Sequence, residues 1–381
     1  MLLSKTLVRP VSRNADTPDD RAALQTAADL IRRGGLVVFP TETVYGLGAN
    51  GLDENAARAI YAAKGRPQNN PLILHLSDAS EIPLYCDVPE KIKPLLEKLT
   101  SLMPAPLTVI LPAKPVVPKT ITAGLPNVAV RVPTSKIARE LIRLAGVPIA
   151  APSANLSGKP SPTNAQDVAE DMDGKIAGIL DGGRCGIGVE STVVDTTTPV
   201  PTILRPGGIT REMLEERLGA VEIDPALNGD PALRPKAPGM KYKHYAPQAP
   251  MYLYEGAEAA ERLVAAAVRA HKEGRRLGVL CDDATGARLR GLLRDPGAVQ
   301  ILAWGQDAAD LAEHLYELLR DADRWEPSFI LGLGVTEKGL GLAVMNRLRK
   351  SAGYQILLAE QGRIAVKSGS EIPAFLLEVS A

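Results

Sequence analysis

Two cations in the amino-terminal part of the chain, Lys64 and Arg66, could hold an anionic ligand. They flank Gly65 at the predicted end of a short amphipathic helix, and Pro67 and Asn70 follow them. Cations at the end of a helix also complement its dipole without any ligand, so a solvated helix end remains an alternative. The glycine, proline and asparagine around these cations are turn formers rather than ordinary surface residues, which favours a phosphate site.

Arg131 and His75 stand at positions where a polar side chain needs an explanation. Arg131 lies within an otherwise apolar predicted strand, 127–133, and a guanidinium in that setting needs a carboxylate or phosphate partner. Either a structural salt bridge or a ligand would satisfy it. His75 ends another apolar run, where an isolated histidine is more often structural than catalytic.

A second polar cluster follows the predicted strand 147–151, in the segment APSANLSGKPSPT. Small hydroxyl and amide side chains, among them Ser153, Asn155 and Ser161, surround Gly158 and Lys159. This composition exposes backbone N–H groups and suits an anion. The segment is therefore a second candidate for the same ligand.

Several familiar motifs are missing or poorly placed. Residues 46–51 match G-x-G-x-x-G, but the preceding strand ends near Phe39 and no acidic residue follows at the required distance, so the glycines are assigned to turns and close packing. The sequence contains no Walker-type phosphate loop and no G-x-S-x-G elbow, so Ser153 and Ser191 are not predicted nucleophiles. Sparse His and Cys argue against metal hydrolysis, and no metal ligand is predicted. What remains is a composition for holding phosphate and carboxylate groups.

Composition limits the class of protein. The chain has 381 residues, which favours two domains, and 44 Lys plus Arg against 44 Asp plus Glu, which removes the bulk charge argument for a nucleic-acid coat. Three cysteines are far apart in the sequence and form no C-x-x-C pair, which is typical of a reducing cytoplasm. No apolar run approaches the roughly 20 residues of a membrane-spanning helix. We therefore expect a cytoplasmic protein.

The order of strands and helices predicts the fold class. In residues 1–218, strands that end in polar, glycine-bearing turns indicate an open, twisted α/β sheet with a cleft. Residues 219–250 are rich in proline and are predicted to be an extended linker, with the segment APGMKYKHYAPQAP as a candidate lid. Residues 251–381 alternate strands and helices, which predicts a small Rossmann-like, doubly wound α/β domain.

Six motifs in order resemble the YrdC-like family. They are PTETVYGLG from Pro40, KGRP from Lys64 with Asn70-Pro71, APSAN from Ala151, SPT from Ser161, ESTV from Glu190 and RPG from Arg205. The linker sequence HYAP and the α/β second domain look like the two-domain L-threonylcarbamoyladenylate synthase branch of that family. The resemblance covers essentially the whole chain. One departure is Met103-Pro-Ala-Pro106, where the family often shows Trp-Pro-Gly-Pro, and the carboxyl-terminal tail matches no known motif.

The resemblance implies a nucleotidyltransferase that joins L-threonine, bicarbonate and ATP to give threonylcarbamoyl-AMP, diphosphate and water. The product would pass to a tRNA threonylcarbamoyltransferase complex that modifies the adenosine next to the anticodon. Mg²⁺ is expected with ATP, bound mainly through phosphates rather than in a protein cage. A weak direct contact with tRNA is also expected, and a membrane partner is not.

The same resemblance assigns the site residues. Lys64 and Arg66 would be catalytic. The threonine pocket would be lined by Thr43, His75, Arg131, Ala151 and Ser191, with Arg131 binding the carboxylate in bidentate fashion. ATP would be bound by Lys64, Arg66, Asn70, Asn127, Ser153, Asn155, Ser161, Arg205 and, from the linker, Tyr245.

Two other classes remain alternatives at this level. Relatives of this fold with a basic concave face suggest a double-stranded RNA-binding module. A carbamoyl-transfer maturation factor would use similar cleft residues, but the sequence shows neither zinc-finger cysteines nor an acylphosphatase-like segment.

Overall fold

The chain forms two compact units in a computed structural model that describes residues 6–228, 245–293, 296–361, 363–368, 372–373 and 376–377. The first unit comprises residues 1–157 and 161–241, and the second comprises 158–160 and 242–381. Half of the predicted linker 219–250, residues 229–244, lies outside the described residues. The domain boundaries proposed from the sequence therefore stay a prediction.

The first unit is built on one large sheet. Its strands are β1 (Leu7–Pro10), β2 (Val37–Pro40), β3 (Tyr45–Asn50), β4 (Ile73–His75), β5 (Leu107–Pro112), β6 (Asn127–Arg131), β7 (Ile149–Ala150), β8 (Gly178–Asp181), β9 (Thr192–Asp195), β10 (Thr202–Arg205) and β11 (Glu222–Ile223). Its helices are α1 (Pro18–Arg32), α2 (Glu54–Lys64), α3 (Ile82–Tyr85), α4 (Lys93–Thr100), α5 (Lys119–Thr122), α6 (Lys136–Ala145), α7 (Ala165–Met172) and α8 (Arg211–Leu218). Among the described residues the strand order is β1-β8-β2-β3-β7-β4-β6-β5-β9-β10-β11.

Helix α1 shows how local sequence fixes an element boundary. Thr17 caps it, and Asp20 at the third position completes a capping box by accepting from the Thr17 backbone. The threonine hydroxyl satisfies the orphan N–H of Asp20, so Thr17 rather than Asp19 or Asp20 is the cap, and the helix begins at Pro18.

Two apolar clusters occupy one face of the large sheet. Near β2, β3 and β7, Phe39 and Ile149 pack with α1 and α6. Farther along the same face, Ile73 and Ala129 pack with Val193. Because side chains alternate along a strand, the residues that pair in register between the two clusters, His75 with Arg131 and Arg131 with Thr108, belong to this face as well. His75, Arg131 and Thr108 thus form a polar row between the two apolar clusters.

The glycines 46 and 48 lie inside β3 and not in a turn, which corrects the turn assignment made from the sequence. A Cβ atom on Gly48 would stand 2.7 Å from Phe39 Cε1 and 2.8 Å from Ile149 Cγ2. The missing side chains therefore leave room for the Phe39 ring, which in turn lies edge-on to His75 with ring centroids 6.0 Å apart. Close packing was the correct half of the expectation.

Replacing Gly48 with alanine is expected to lower the free energy of unfolding by about 1–3 kcal/mol, because the extra methyl group overpacks a buried site. Urea denaturation of the purified protein measures the change. Gly186→Ala is the control, since no heavy atom lies within 4 Å of its would-be Cβ. Equal stability of both variants would show that Phe39 and Ile149 can move aside without cost.

The second unit has a smaller sheet, as the sequence predicted. Its strands are β12 (Met251–Glu255), β13 (Leu277–Cys281), β14 (Val299–Ala303), β15 (Phe329–Leu333), β16 (Ile356–Glu360) and β17 (Arg363–Ser368). Its helices are α9 (Ala259–Lys272), α10 (Asp283–Leu292), α11 (Ala308–Trp325) and α12 (Gly341–Ser351). The order is β14-β13-β15-β12-β16-β17, with parallel pairs except β16 with β17. This is the predicted doubly wound α/β arrangement, and the mixed α/β fold class is confirmed.

Residues 158–160, which come from the middle of the polar segment after β7, belong to the second unit. Ala246 N donates to the Gly158 carbonyl at 3.1 Å, and Arg320 Nη2 donates to the Pro160 carbonyl at 2.6 Å. The predicted anion segment 151–163 is thus divided between the two units. Ser153, Asn155 and Ser161 remain in the first.

No helix in the described parts of the chain is both long and apolar enough to cross a membrane. Cys86, Cys185 and Cys281 are buried and free. Burial raises the pKa of the Cys86 thiol to about 12, so this thiol stays protonated at neutral pH.

Candidate functional site

A tight turn after β2 carries three polar side chains. Thr41 Oγ1 accepts from the backbone N–H groups of Thr43 and Val44, both at 3.2 Å, and donates to the Val44 carbonyl at 2.7 Å. The hydroxyl groups of Thr41 and Thr43 are 2.8 Å apart. Pro40 ends the strand, and the threonine bonds then fix the turn that leads into β3. The turn holds Glu42 and Thr43 over the end of β6.

Arg131 ends β6 and is almost fully buried. Its Nη2 donates to Glu42 Oε1 at 2.6 Å and to Thr43 Oγ1 at 2.9 Å. Its Nε is buried and has no hydrogen-bond partner among the described residues. The sequence left open whether Arg131 meets a salt bridge or a ligand. The structure supplies the salt bridge through Nη2, and Nε remains for a ligand.

His75 pairs in register with Arg131 and is 3% exposed. Its Nδ1 lies 3.2 Å from the Ile73 carbonyl. Burial, followed by the nearby positive charge of Arg131, lowers the pKa of His75 to about 3. The imidazole is therefore neutral at physiological pH and can take part in neutral hydrogen bonds rather than in charge pairing.

The stability of the protein should fall as the pH is lowered through the range in which an unfolded histidine gains its proton. The unfolded side chain titrates near 6.5 and the folded one near 3, so the stabilising contribution is complete above 6.5 and is lost as pH falls toward 3. Between pH 7 and pH 5 we expect His75 to account for a loss of about 2 kcal/mol in unfolding free energy. Urea denaturation of wild type and His75→Asn at both pH values isolates this contribution. Parallel pH profiles for the two proteins would contradict the buried, neutral state.

Ser191 lies directly before β9, where its hydroxyl contacts Thr108 of the polar row and also Arg205. Its hydroxyl is 2.7 Å from Thr108 Oγ1, and Thr108 pairs in register with Arg131. Arg205 Nη2 donates to Ser191 Oγ at 3.1 Å and to the Ser191 carbonyl at 3.0 Å. Arg205, assigned to ATP by the resemblance, is therefore placed beside a residue assigned to threonine.

Lys64 ends α2 and is 2% exposed, so the solvated helix end considered from the sequence is wrong. Its Nζ donates to the Ser153 carbonyl at 2.5 Å and also to the Asn155 carbonyl. Ser153 Oγ in turn donates to Asn155 Oδ1 at 2.5 Å. The structure thus brings three predicted ATP-binding residues into one cluster, in which the lysine fixes the loop after β7.

Arg66 lies just beyond the helix, where Gly65 takes a left-handed conformation with φ of 60° and turns the chain. Arg66 Nε donates to the Asn70 carbonyl at 3.2 Å and Nη2 donates to the Pro71 carbonyl at 3.0 Å. Asn127 begins β6, two residues before the Ala129 that pairs with Ile73. Arg66, Asn70 and Asn127 are therefore at the amino-terminal ends of β4 and β6.

The remaining predicted residues are more dispersed. Ser161 is fully buried and donates to Glu190 Oε1 at 2.8 Å, next to Ser191. Ala151 N donates to the Ile73 carbonyl at 3.0 Å. Tyr245 belongs to the second unit, where it stacks on Tyr316 with centroids 5.1 Å apart. Its assignment to ATP stays a prediction.

Four polar residues of this region were not assigned from the sequence: Thr41, Glu42, Thr108 and Glu190. Glu42 and Glu190 stand inside motifs that the sequence analysis quoted. Thr108 was detectable by the signal that identified Arg131, a polar side chain within an apolar strand.

The arrangement separates two kinds of binding group along one pair of parallel strands. His75 and Arg131 are at the carboxyl ends of β4 and β6, whereas Arg66, Asn70 and Asn127 are at the amino ends. Four residue steps along a strand span roughly 13 Å. The carboxyl-end group has a guanidinium and an imidazole, which suit a small polar acid, and the other group has a guanidinium and two amides, which suit phosphates.

In comparison with known proteins, two family models match successive parts of the chain. The family described as "Telomere recombination" matches residues 29–207, and "Threonylcarbamoyl-AMP synthase, C-terminal domain" matches residues 209–353. A threonylcarbamoyl-AMP synthase from Pyrococcus abyssi is 47% identical over 88% of this chain and 95% of its own length. One from Bacillus subtilis is 46% identical, over 87% and 93%. A crystal structure of Pyrococcus abyssi Sua5 complexed with L-threonine superposes with a TM-score of 0.84 at 45% identity, covering 93% of this chain and all of that one.

Fold and site thus define a two-unit α/β protein whose first unit is of the Sua5, YciO and YrdC type. The chain belongs to the threonylcarbamoyl-AMP synthase family. The resemblance found in the sequence motifs is confirmed.

Proposed function

We propose that this chain is an enzyme that converts L-threonine, bicarbonate and ATP into L-threonylcarbamoyladenylate, diphosphate and water. The observation that carries the proposal is the pair of half-sites at opposite ends of β4 and β6, one suited to an amino-acid carboxylate and the other to phosphates. Family membership supports the same reaction.

Threonine is proposed to bind at the polar row. Its carboxylate would accept from Arg131, whose Nε has no hydrogen-bond partner among the described residues. Thr43, the neutral His75 and Ser191 would contact the rest of the amino acid, together with the backbone of Ala151. Fixing the carboxylate and hydroxyl leaves the amine as the reacting group.

The reaction then needs two bond-forming steps. The threonine amine combines with bicarbonate to give a carbamate and releases water. A carbamate oxygen attacks the α-phosphorus of ATP, the bond to the β-phosphate oxygen breaks, and diphosphate leaves. Since the carbamate is unstable in water, positioning and exclusion of solvent contribute more than a strong base.

Positive charge for the phosphate transfer would come from Lys64 and Arg66, which are proposed as the catalytic pair. Lys64 also holds the backbone of the loop that carries Ser153 and Asn155. The other proposed ATP-binding residues are Asn70, Asn127, Ser161, Arg205 and Tyr245.

Mg²⁺ is proposed to accompany ATP. The described part of the chain contains no group of three or more His, Cys, Asp or Glu side chains placed for a metal. The carboxylates next to the polar row, Glu42 and Glu190, accept from Arg131 and Ser161. Since these two carboxylates already accept hydrogen bonds within the protein, we propose that the ion is held mainly through the phosphates of the nucleotide, where it would neutralise their charge.

The product would be handed to an enzyme complex that transfers the threonylcarbamoyl group to adenosine next to the anticodon of tRNA. Direct contact with tRNA stays a prediction. So does a cytoplasmic location, which rests on the cysteine pattern.

The test is an assay of diphosphate release with L-threonine, bicarbonate and ATP, omitting each in turn. We expect release to require all three, and D-threonine to replace L-threonine poorly. Diphosphate release that is indifferent to threonine would refute the proposal.

A further inference from the structure

The Glu42 carboxylate accepts from two donors at and just beyond the end of β6, one on each oxygen. Its Oε1 accepts from Arg131 Nη2 at 2.6 Å, and its Oε2 accepts from the backbone N–H of Thr134 at 3.1 Å. Its own carbonyl accepts from the Ile187 N–H at 2.9 Å. The Glu42 side chain is 12% exposed. Backbone and side chain are therefore both fixed, and the carboxylate has one orientation.

The ion pair between Glu42 and Arg131 uses one oxygen of the carboxylate and one nitrogen of the guanidinium. A carboxylate that competed with a substrate for Arg131 would take the guanidinium fork with both oxygens. Glu42 uses one oxygen for Arg131 and directs the other to Thr134. Thr43 Oγ1 accepts from the same Nη2 at 2.9 Å. The Nε of Arg131 remains buried, with no hydrogen-bond partner in the part of the chain that the structure describes. The guanidinium is thus anchored through one nitrogen and leaves another donor for a second carboxylate.

We propose that Glu42 is a positioning residue for threonine recognition, which anchors Arg131 through Nη2 so that the Nε edge of the guanidinium meets the carboxylate of the amino-acid substrate. The inference rests on the proposed function. Without Glu42, Arg131 loses the contact that fixes its rotamer in an apolar strand, and Nε is no longer directed at the substrate carboxylate. Thr43 alone then holds the guanidinium.

The test measures steady-state diphosphate release with Glu42→Ala, Glu42→Asp and Glu42→Gln. We expect Glu42→Ala to raise KM for L-threonine by about 10-fold to 100-fold, since hydrogen bonds to charged groups carry effects of this size. The value of kcat should change less than about 3-fold, and KM for ATP should not change, because the anchor acts on amino-acid binding. Glu42→Gln keeps an acceptor for Nη2 and should show a smaller rise in KM, as should Glu42→Asp.

A ligand without the carboxylate separates positioning from a general structural role. L-threoninol retains the amine and the side-chain hydroxyl of threonine but has a CH2OH group in place of the carboxylate, so it cannot form an ion pair with Arg131. Its inhibition constant against L-threonine should be unaffected by Glu42→Ala. If the inhibition constant rises in parallel with KM for threonine, Glu42 supports the pocket as a whole and the proposal is wrong.

The matched control is Glu54→Gln, a half-exposed carboxylate on α2 that pairs with Arg58. It should leave every constant unchanged. A fall in KM for threonine in Glu42→Ala would show that Glu42 competes with the substrate, and an unchanged KM would show that it has no part in recognition. If Glu42→Ala does not fold, as judged by its thermal unfolding, the same constants for Glu42→Gln decide. Loss of threonine dependence in the wild-type protein would instead refute the proposed function.

Discussion

Replacing Arg131 with alanine is expected to reduce kcat/KM for L-threonine by a factor on the order of 1,000, which corresponds to about 4 kcal/mol of lost transition-state binding. The substitution removes the proposed ligand of the substrate carboxylate. It also leaves the carboxylate of Glu42 buried without its cation, and breaking such a pair is costly. Diphosphate release at varied threonine concentration measures the effect.

Two further variants make the Arg131 result interpretable. Arg131→Lys keeps the charge but loses the planar fork, so we expect it to recover stability better than activity. Arg143→Ala removes an exposed arginine of α6 that pairs with Glu140, and it should leave both properties unchanged. Thermal unfolding of each variant is recorded beside its activity. If Arg131→Ala folds and turns over threonine normally, the polar row is not the amino-acid site.

The sequence predicted best where a chemical demand is local. An arginine in an apolar strand required a charged partner, and Arg131 has one. The two cations around Gly65 are buried and not a solvated helix end, whereas their assignment to a phosphate site stays a prediction. Lys64 donates to backbone carbonyls that lie about 90 residues away in sequence. The sequence shows that a buried charged side chain needs a partner. Which residue is that partner depends on which turns the sheet brings together.

The failures have the same origin. Glycines 46 and 48 were assigned to turns because local sequence patterns do not show that the Phe39 ring packs against them from the neighbouring strand. Glu42 was visible between two threonines, yet its pairing with Arg131 follows from the order of β2, β3 and β6 in the sheet. The membership of residues 158–160 in the second unit likewise depends on tertiary contacts alone.

One structural feature connects the two proposed half-sites. The strands β4 and β6 are parallel neighbours, so their carboxyl ends carry His75 and Arg131 while their amino ends follow Asn70 and begin with Asn127. Buried strands are stiff, and the distance between the two groups is therefore set by the sheet rather than by loops. A reaction that must bring an amino-acid carbamate to an α-phosphate benefits from such fixed spacing.

Replacing Arg66 with alanine is expected to lower threonine-dependent diphosphate release by a factor on the order of 100 or more, as the loss of a charge contact in the transition state should. Arg66 is 9% exposed and donates to the carbonyl groups of Asn70 and Pro71. The substitution thus removes positive charge and also loosens the segment that carries Asn70. Diphosphate release under saturating threonine, bicarbonate and ATP measures the change in kcat.

The two consequences of Arg66→Ala can be separated. Arg66→Lys retains the charge but cannot donate to both carbonyls in the same plane, so recovery of kcat by lysine would assign the effect to charge. Arg58→Ala removes an exposed cation from the preceding helix and should have no effect. An unchanged rate in a folded Arg66→Ala protein would exclude Arg66 from the site.

The same variant tests the separation of the two half-sites. Because Arg66 lies at the ends of β4 and β6 opposite to Arg131, its loss should leave KM for threonine nearly unaltered. A large rise in that KM would contradict the separation of the two half-sites.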